Sequence, residues 1–528
     1  MSPDPPGAFI LAVDHGTSGC KVALISVRGE VVDVDFEPTP IYFSAGGGAE
    51  QVPEDWWNAL LAASGRLIER SPRSVRENVV AVCCSSTYSS TVAVDASGNA
   101  LGNCLTWMDS RGAPHVRRAM RGLVNVAGYG LSNVARWLPR TGGAPTLSGK
   151  DDIAHVLVWK HDFPDIYRAA HMFMGSKDYL NLRLTGRFAA SYDSMTLFWV
   201  SDSRNIANVH YDERLIARFG LDRAKLPPMV AATSILGELK PEVAKELGLG
   251  PGVVVVSGSP DLQSACVGSG AVGDFEGHVY IGTSSWLLCH VPFKKTDMFH
   301  TIASIPSSIP GKYFCANEQD VAGGCLTYLI DNLLFHANEV SDRKPPSDIY
   351  ERLEAVVSRV PPGADKLIFT PWLNGEKTPA DDHALRAGFY NMSMTTTIDH
   401  MVRAVYEGVA LNSRWALKYV ERFIKRRMDA LNIIGGGARS EAWCQIFADV
   451  LDRRIRRVKD PLQANARGAA FIASVAMGYL KFEDIGGLVQ IDRTFEPDPG
   501  NRALYDELFR EFLVIYKNNR SMYHRLNW

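Results

Sequence analysis

The phrase strand, Gly-Thr-Ser, strand occurs twice in this chain, and that repetition limits the fold more than any other feature. The apolar run Phe9-Ile10-Leu11-Ala12-Val13 stops at Asp14-His15-Gly16-Thr17-Ser18 and is followed by Val22-Ala23-Leu24-Ile25. Arg28-Gly29-Glu30 then turns the chain into Val31-Val32. Short apolar runs broken by Gly-rich polar residues predict strand, tight turn, strand, turn, strand. In the second half, His278-Val279-Tyr280-Ile281 runs into Gly282-Thr283-Ser284-Ser285 and leaves through Trp286-Leu287-Leu288. One shared triplet is a cheap coincidence. The same triplet between two strands both times indicates a duplicated β unit, one copy in each of two lobes.

The rest of the chain fits around that pair. At 528 residues, length alone would give about three domains, and large two-lobed enzymes reach the same size. The expected divisions are 8–257, 258–485 and a C-terminal helix and tail at 486–528. Helices are predicted over Asp151 to Tyr167, Lys177 to Leu184 and His400 to Tyr419, and from Leu504 onward, where apolar residues recur at helical spacing. Leu236 to Leu249 leads into the buried strand Val253-Val254-Val255-Val256, Pro361 to Asp382 reads as a long ordered loop, and the polar end after Lys517 is expected to fray. A formal net charge of −2 gives no electrostatic case for nucleic acid or an anionic membrane as partner. Nine cysteines without a CxxC pair, several in apolar runs such as Val82-Cys83-Cys84, read as buried free thiols of a reducing compartment. The Pro-rich start, Met1 to Gly7, lacks the basic region of a signal peptide, and no apolar run approaches a membrane span. A cytoplasmic protein is expected.

Three turns carry the candidate chemistry. Gly16-Thr17-Ser18 offers backbone amides and two hydroxyls between strands, a geometry that can wrap phosphate oxygens. Asp14 beside it can hold Mg²⁺ through water, and Lys21 can meet a phosphate. A polar hairpin turn explains one such site alone; the matching Gly282-Thr283-Ser284 allows two facing turns to grip neighbouring phosphates. Neither is a Walker loop. Leu431-Asn432-Ile433-Ile434 ends in Gly435-Gly436-Gly437-Ala438-Arg439-Ser440 before an apparent helix, so a flat ligand can lie against backbone there, although a structural βα turn reads the same way. Val256-Ser257-Gly258-Ser259-Pro260-Asp261 puts a carboxylate among small residues at a strand end. Asp261 can take a proton from a hydroxyl during phosphoryl transfer, or it can cap the helix that follows.

Together these residues resemble the FGGY family of carbohydrate kinases, and especially its xylulokinase-like branch. The likeness runs from Asp14 to about Tyr516. It includes Asp14-x-Gly16-Thr17-Ser18-x-x-Lys21, Glu50-Gln51-Val52-Pro53-Glu54-Asp55-Trp56-Trp57, Trp107-x-Asp109-x-Arg111 and Lys177-Asp178-Tyr179-Leu180. Leu184-Thr185-Gly186, Gly258-x-x-Asp261, Gly375-Glu376-Lys377-Thr378-Pro379, Gly435 to Trp443 and Gly468-Ala469-Ala470 continue it. The resemblance implies an α/β fold of two ribonuclease-H-like lobes, the actin-like ATPase superfold, around a central cleft. It implies ATP and Mg²⁺, with the phosphates between the Gly-Thr-Ser turns and adenosine near Gly436, Gly437 and Ala438. The sugar would bind deeper, largely against the first lobe, with Asp261 as general base. Trp107 would stack on a sugar face and Asp109 and Arg111 would bind hydroxyls, unless they form a buried Trp beside a structural ion pair.

Departures fall mostly on the substrate side. Xylulokinases carry Gln-Met-His-Gly where this chain has Ser86-Thr87-Tyr88-Ser89, so Thr87 and Tyr88 stand at the Met-His pair that contacts ketopentose. A site built around particular hydroxyls is selective, and the change leaves open a different sugar or polyol. His155 and Val158 replace a Lys and a Trp of the first signature, and Asn391 stands where the second expects Gly. Within Asn317-Glu318-Gln319-Asp320, Asp320 can face sugar or metal, or lie on a solvated strand end. A non-catalytic ATP-responsive sugar sensor is the reading from another class, and the intact Asp261 argues against it. A homodimer is left open.

Overall fold

Antiparallel pairing joins Phe9–Gly16 to Gly19–Ser26, and that strand to Val31–Pro38. On the far side of Phe9–Gly16 come the parallel strands Val79–Ser86 and Val254–Val256, and Ile235–Glu238 closes the edge antiparallel. The second sheet repeats the plan. Tyr313–Ala316, Ser285–Val291 and Gly277–Ile281 run antiparallel, Ala430–Ile434 and Arg454–Val458 follow in parallel, and Ile491–Phe495 is antiparallel again. Ile302–Pro306 and Thr296–Asp297 extend its other edge. The Gly-Thr-Ser turns occupy the same hairpin in both sheets, so the repetition in the sequence is a repetition of topology: two ribonuclease-H-like lobes in an α/β chain. This computed structural model describes residues 7–335 and 344–527. The Pro-rich start up to Pro6, expected to lack a leader, lies outside them, as do 336–343 of the expected second lobe and Trp528 of the tail.

The first strand is apolar on both faces because both are covered. Ile10 and Ala12 enter one core cluster, while Leu11 and Val13 enter another with Trp56 and Leu60 of the helix Pro53–Arg70. That helix begins with Pro at its first position and Glu54 and Asp55 in its first turn, residues suited to a helix N-terminus.

Several elements differ from the expectations. The helix foreseen from Asp151 to Tyr167 is two, Asp152–His161 and Pro164–Ala169, because Pro164 supplies no amide and excludes Phe163 from helical geometry. Leu236 to Leu249, to which the sequence assigns no element type, holds the end of an edge strand and the short helix Pro241–Glu246 and does lead into the strand Val254–Val256. The loop foreseen from Pro361 to Asp382 contains the strand Ile368–Thr370, paired with Gly388–Tyr390. The end foreseen to fray stays helical to Asn527. There the Tyr523 and Tyr390 hydroxyls lie 2.5 Å apart, and His524 and Arg520 reach the buried Asp382 at 2.9 and 3.1 Å.

Between the sheets, the helices Asp261–Gly268 and Ala464–Ala476 lie against each other. Gly268 and Gly468 make this approach possible: a Cβ on Gly268 would strike the Ala464 carbonyl, and one on Gly468 the Ser264 carbonyl. One apolar cluster runs through the seam, from Ile10, Ala23 and Ala81 of the first sheet to Leu288, Phe314 and Ile434 of the second. All nine cysteines are buried and free. Among the described residues no helix is long and apolar enough to cross a membrane.

Candidate active site

The first Gly-Thr-Ser turn is braced from behind. Gln51 Nε2 donates to the Thr17 carbonyl at 2.9 Å, Trp107 Nε1 donates to Thr17 Oγ1 at 2.9 Å, and Thr39 N donates to the Ser18 carbonyl at 3.1 Å. In the second turn, Ala322 and Gly324 donate to the Thr283 carbonyl at 2.8 and 3.1 Å, and Gly323 donates to Gly282 at 2.8 Å. The start of the helix Gly323–Leu329 therefore holds the turn by its carbonyls. Tyr280, just before this turn, stacks on Trp286 with ring centres 3.9 Å apart.

A chain of contacts ties the two turns and the glycine loop together. Gly435 has φ +90, and a Cβ there would come within 2.6 Å of the Ile281 carbonyl, so only glycine lets this loop lie against the strand entering the second turn. Its amide donates to Pro461 at 3.1 Å, and the adjoining Leu462 carbonyl accepts Lys21 Nζ at 2.9 Å. Lys21 also faces Asp14 at 3.4 Å, and Asn465 approaches the other carboxylate oxygen of Asp14 at 3.4 Å. A Cβ on Gly436 would meet nothing within 4 Å, so this glycine faces open space; Gly437 lies against Ile281, and Ala438 is buried.

Asp261 is the first residue of its helix rather than the cap before it, and its Oδ1 accepts the Leu262 amide at 2.8 Å. The segment leading to it needs glycine at 258, where φ is +70 and a Cβ would collide with the Cys84 carbonyl. The half-buried carboxyl is pushed up to about 8 by burial; the Leu262 amide opposes this, and the nearby charges of Asp14 and Glu318 add to it. Burial, followed by Asp14 and Asp261, likewise pushes the Tyr280 phenol up to about 12. Asp14 of the first turn, Tyr280 of the second and Asp261 thus share one electrostatic neighbourhood.

Thr87 and Tyr88 continue the strand Val79–Ser86 at its C-terminal end, near Asp261. Tyr88 is half-buried and its hydroxyl accepts Gln263 Nε2 at 2.8 Å, while Thr87 Oγ1 lies 3.0 Å from Ser90 Oγ. Gln263 also donates to Pro306 at 2.9 Å and accepts Ser308 N at 2.5 Å, so it links Tyr88 to the second sheet. Nothing in the sequence singled out Gln263 beyond its place two residues after Asp261.

Asp109 and Arg111 spend their hydrogen bonds inside the protein. Asp109 is fully buried and accepts Ala49 N at 3.0 Å and Arg111 Nη2 at 2.6 Å, and Arg111 reaches Glu50 at 2.5 Å. Asn317 and Gln319 are buried against Leu287, Ser285 and Ser413. Glu318 and Asp320 project the other way, to Lys377 Nζ at 2.7 and 3.7 Å. Burial, with Glu318 adding to it against the pull of Lys377, raises the Asp320 carboxyl above its ordinary range. His155 is a core histidine, held to about 4 by burial, with Nδ1 2.9 Å from Thr91 Oγ1. Asn391 adopts φ +70, the left-handed conformation that Asn tolerates best after Gly, which accounts for its standing at a glycine position.

Comparison with known proteins gives this geometry its setting. The profile of the N-terminal domain of the FGGY family of carbohydrate kinases matches residues 9–268, and that of the C-terminal domain matches 277–477. The chain belongs to the FGGY family of carbohydrate kinases. As a member it is a sugar phosphotransferase. It is 27% identical to a xylulose kinase of Staphylococcus epidermidis, with 97% of each chain covered. It is 24% identical to a gluconokinase of Bacillus subtilis, with 98% of each covered. Among solved structures, a gluconate kinase from Lactobacillus acidophilus superposes with a TM-score of 0.84 at 22% identity, over 98% of this chain and 99% of that one. At that identity the superposition speaks for the fold alone.

Proposed function

We propose that this FGGY kinase transfers the γ-phosphate of Mg-ATP to a hydroxyl of a ketopentose-like sugar, with Asp261 as general base. The observation that carries the reading is the position of Asp261, which opens the helix at the seam of the lobes within electrostatic reach of Asp14 and Glu318. The Asp261 carboxylate accepts the proton of the attacking hydroxyl as its oxygen bonds to the γ-phosphorus and the bond to the β-phosphate breaks. Amides of Gly16, Thr17 and Ser18 and of Thr283 and Ser284 hold the phosphate oxygens from two sides, with Lys21 adding positive charge; the Gly282 amide closes the second turn by donating to the Ser284 carbonyl at 3.0 Å. Gly436, open to solvent, and the adjoining Gly437 and Ala438 receive the nucleoside. Thr87 and Tyr88 bind the sugar, Asp320 lies on its far side with Lys377, Trp107 braces the first turn, and Asp109 and Arg111 hold the strand at Ala49 and Glu50, beside Gln51.

The residues fit a magnesium ion. Among the described residues Asp14 has only long side-chain contacts, at 3.4 Å, to Lys21 and Asn465, which leaves its carboxylate lone pairs available. Among the described residues no group of three or more His, Cys, Asp or Glu could hold a metal alone. Magnesium bound by one carboxylate together with substrate phosphates needs no such group. When bound with ATP, the ion supplies neutralisation of phosphate charge.

Replacing Asp261 with Asn is expected to lower sugar-dependent ADP release by about 10²–10⁴-fold while ATP binding persists. An unimpaired Asp261→Asn enzyme would remove the base assignment. A second reading, an acceptor such as gluconate or another polyol, is favoured by Thr87-Tyr88 in place of the Met-His pair. Turnover of D-xylulose, D-gluconate and glycerol side by side separates the two readings.

A further inference from the structure

The segment between Val256 and Asp261 is anchored by a helix that the phosphoryl-transfer chemistry leaves without a role. Ser257 N and Gly258 N donate to Ser234 and Ala232, each at 2.9 Å. The Ser257 carbonyl lies past the end of its strand, where an unpaired buried acceptor is costly. It accepts Lys177 Nζ at 3.0 Å and Asn181 Nδ2 at 2.8 Å, both from the helix Ser176–Thr185. Lys177 is 1% exposed and pairs with the buried Asp178, which accepts Ser194 Oγ at 2.7 Å. Two residues past the anchored carbonyl, Ser259 Oγ donates to Asp193 at 2.5 Å. The first residue of the same helix, Ser176, lies 2.7 Å from Ser86 Oγ, at the strand end that leads into Thr87 and Tyr88. Neighbouring residues on one helical turn therefore hold the segment of the base and the strand end of the acceptor side. A buried ion pair is a poor source of stability compared with apolar packing, but a charged donor fixes a carbonyl more firmly than a neutral one does.

We propose that Lys177 is a positioning residue for phosphoryl transfer, its ammonium fixing the Ser257 carbonyl so that Asp261 stands at a set distance from the sugar at Thr87 and Tyr88. The proposal rests on Asp261 being the base. Lys177 acts through that residue, so its effect should fall on turnover rather than on nucleotide binding, and should disappear once Asp261 is gone.

The test compares the parent with Lys177→Met/Asp178→Asn, Asp261→Asn and the triple variant, using the best acceptor among D-xylulose, D-gluconate and glycerol. Removing both charges together avoids leaving one buried and unpaired, which keeps the variant foldable. Expected are a kcat lowered about 10- to 100-fold, a KM for ATP within about twofold, and no further loss in the triple variant beyond Asp261→Asn. An unchanged kcat, an equal loss in ATP affinity, or losses that multiply in the triple variant would overturn the role of Lys177. Asn181→Leu keeps the ion pair and removes the second donor. It should lower kcat about threefold at unchanged KM for ATP, a result that stands even if the double variant does not fold. Activity retained by Asp261→Asn would strike the base assignment itself, and the proposal with it.

Discussion

At the residue scale the proposed base is Asp261, and its environment sets a pH signature. Burial, with Asp14 and Glu318 nearby, holds the carboxyl at about 8 in the free enzyme. A base must be ionised to act, so kcat/KM should climb about tenfold per pH unit below that value and level off above it. A flat profile between pH 6 and 8 would deny Asp261 the role. The effect on stability has the opposite sign. An unfolded Asp loses its proton near ~3.9, whereas the folded one keeps it until about 8, so ionisation costs the native state stability as pH rises through that window. Asp261→Asn should therefore melt above the parent at pH 8 and level with it below pH 4, while losing turnover. Thermal melts at the two pH values decide this. The placement of Asp261 among small residues past a strand end was legible in the sequence, because Val256 to Asp261 passes from an apolar run straight into Ser, Gly, Ser and Pro. Gln263 as the partner of Tyr88 was not, since the two are 175 positions apart and only folding brings them together.

At the scale of elements, the sequence was read best where one local rule governs. The hairpins at both Gly-Thr-Ser turns, the Ser176–Thr185 helix and the long helix Ile398–Ile424 stand where periodicity put them. Misreadings came where a single residue or a distant contact overrides the pattern. Pro164 splits a helix, and the tail beyond Lys517 is ordered by Asp382 and Tyr390, which no local pattern announces. The most consequential element pair is the one formed by Asp261–Gly268 and Ala464–Ala476. A side chain at Gly468 must push against the Ser264 carbonyl, on the helix that carries Asp261. Gly468→Val should cost about 1–3 kcal/mol by overpacking, and should lower kcat because Asp261 moves with its helix. Gly250→Ala, where a Cβ meets nothing within 4 Å, is the matching control and should leave both unchanged. Denaturant melts and turnover of the two variants measure this; an intact kcat in Gly468→Val would mean that the pair does not position the base.

At the scale of the whole molecule, two matching triplets were enough to indicate duplication, because each marks the same hairpin of a repeated sheet. The way the halves join could not be read, since it rests on small residues meeting across the seam. Gly268 faces Ala464, Gly468 faces Ser264, and the apolar cluster around them takes side chains from both sheets. Chains of several domains commonly unfold in separate steps. Here one apolar cluster belongs to both lobes, with Ile10 and Ala81 beside Leu288 and Ile434, so parting the lobes opens packing that each of them uses. The two lobes should therefore melt as one unit, in a single calorimetric transition. Mg-ATP, if gripped by both turns, should raise that transition as a whole, by about 2.7 kcal/mol at a hundred times its dissociation constant. Two resolved transitions, or a nucleotide-induced shift confined to one of them, would mean that the seam is only a contact and that each lobe is held by its own core.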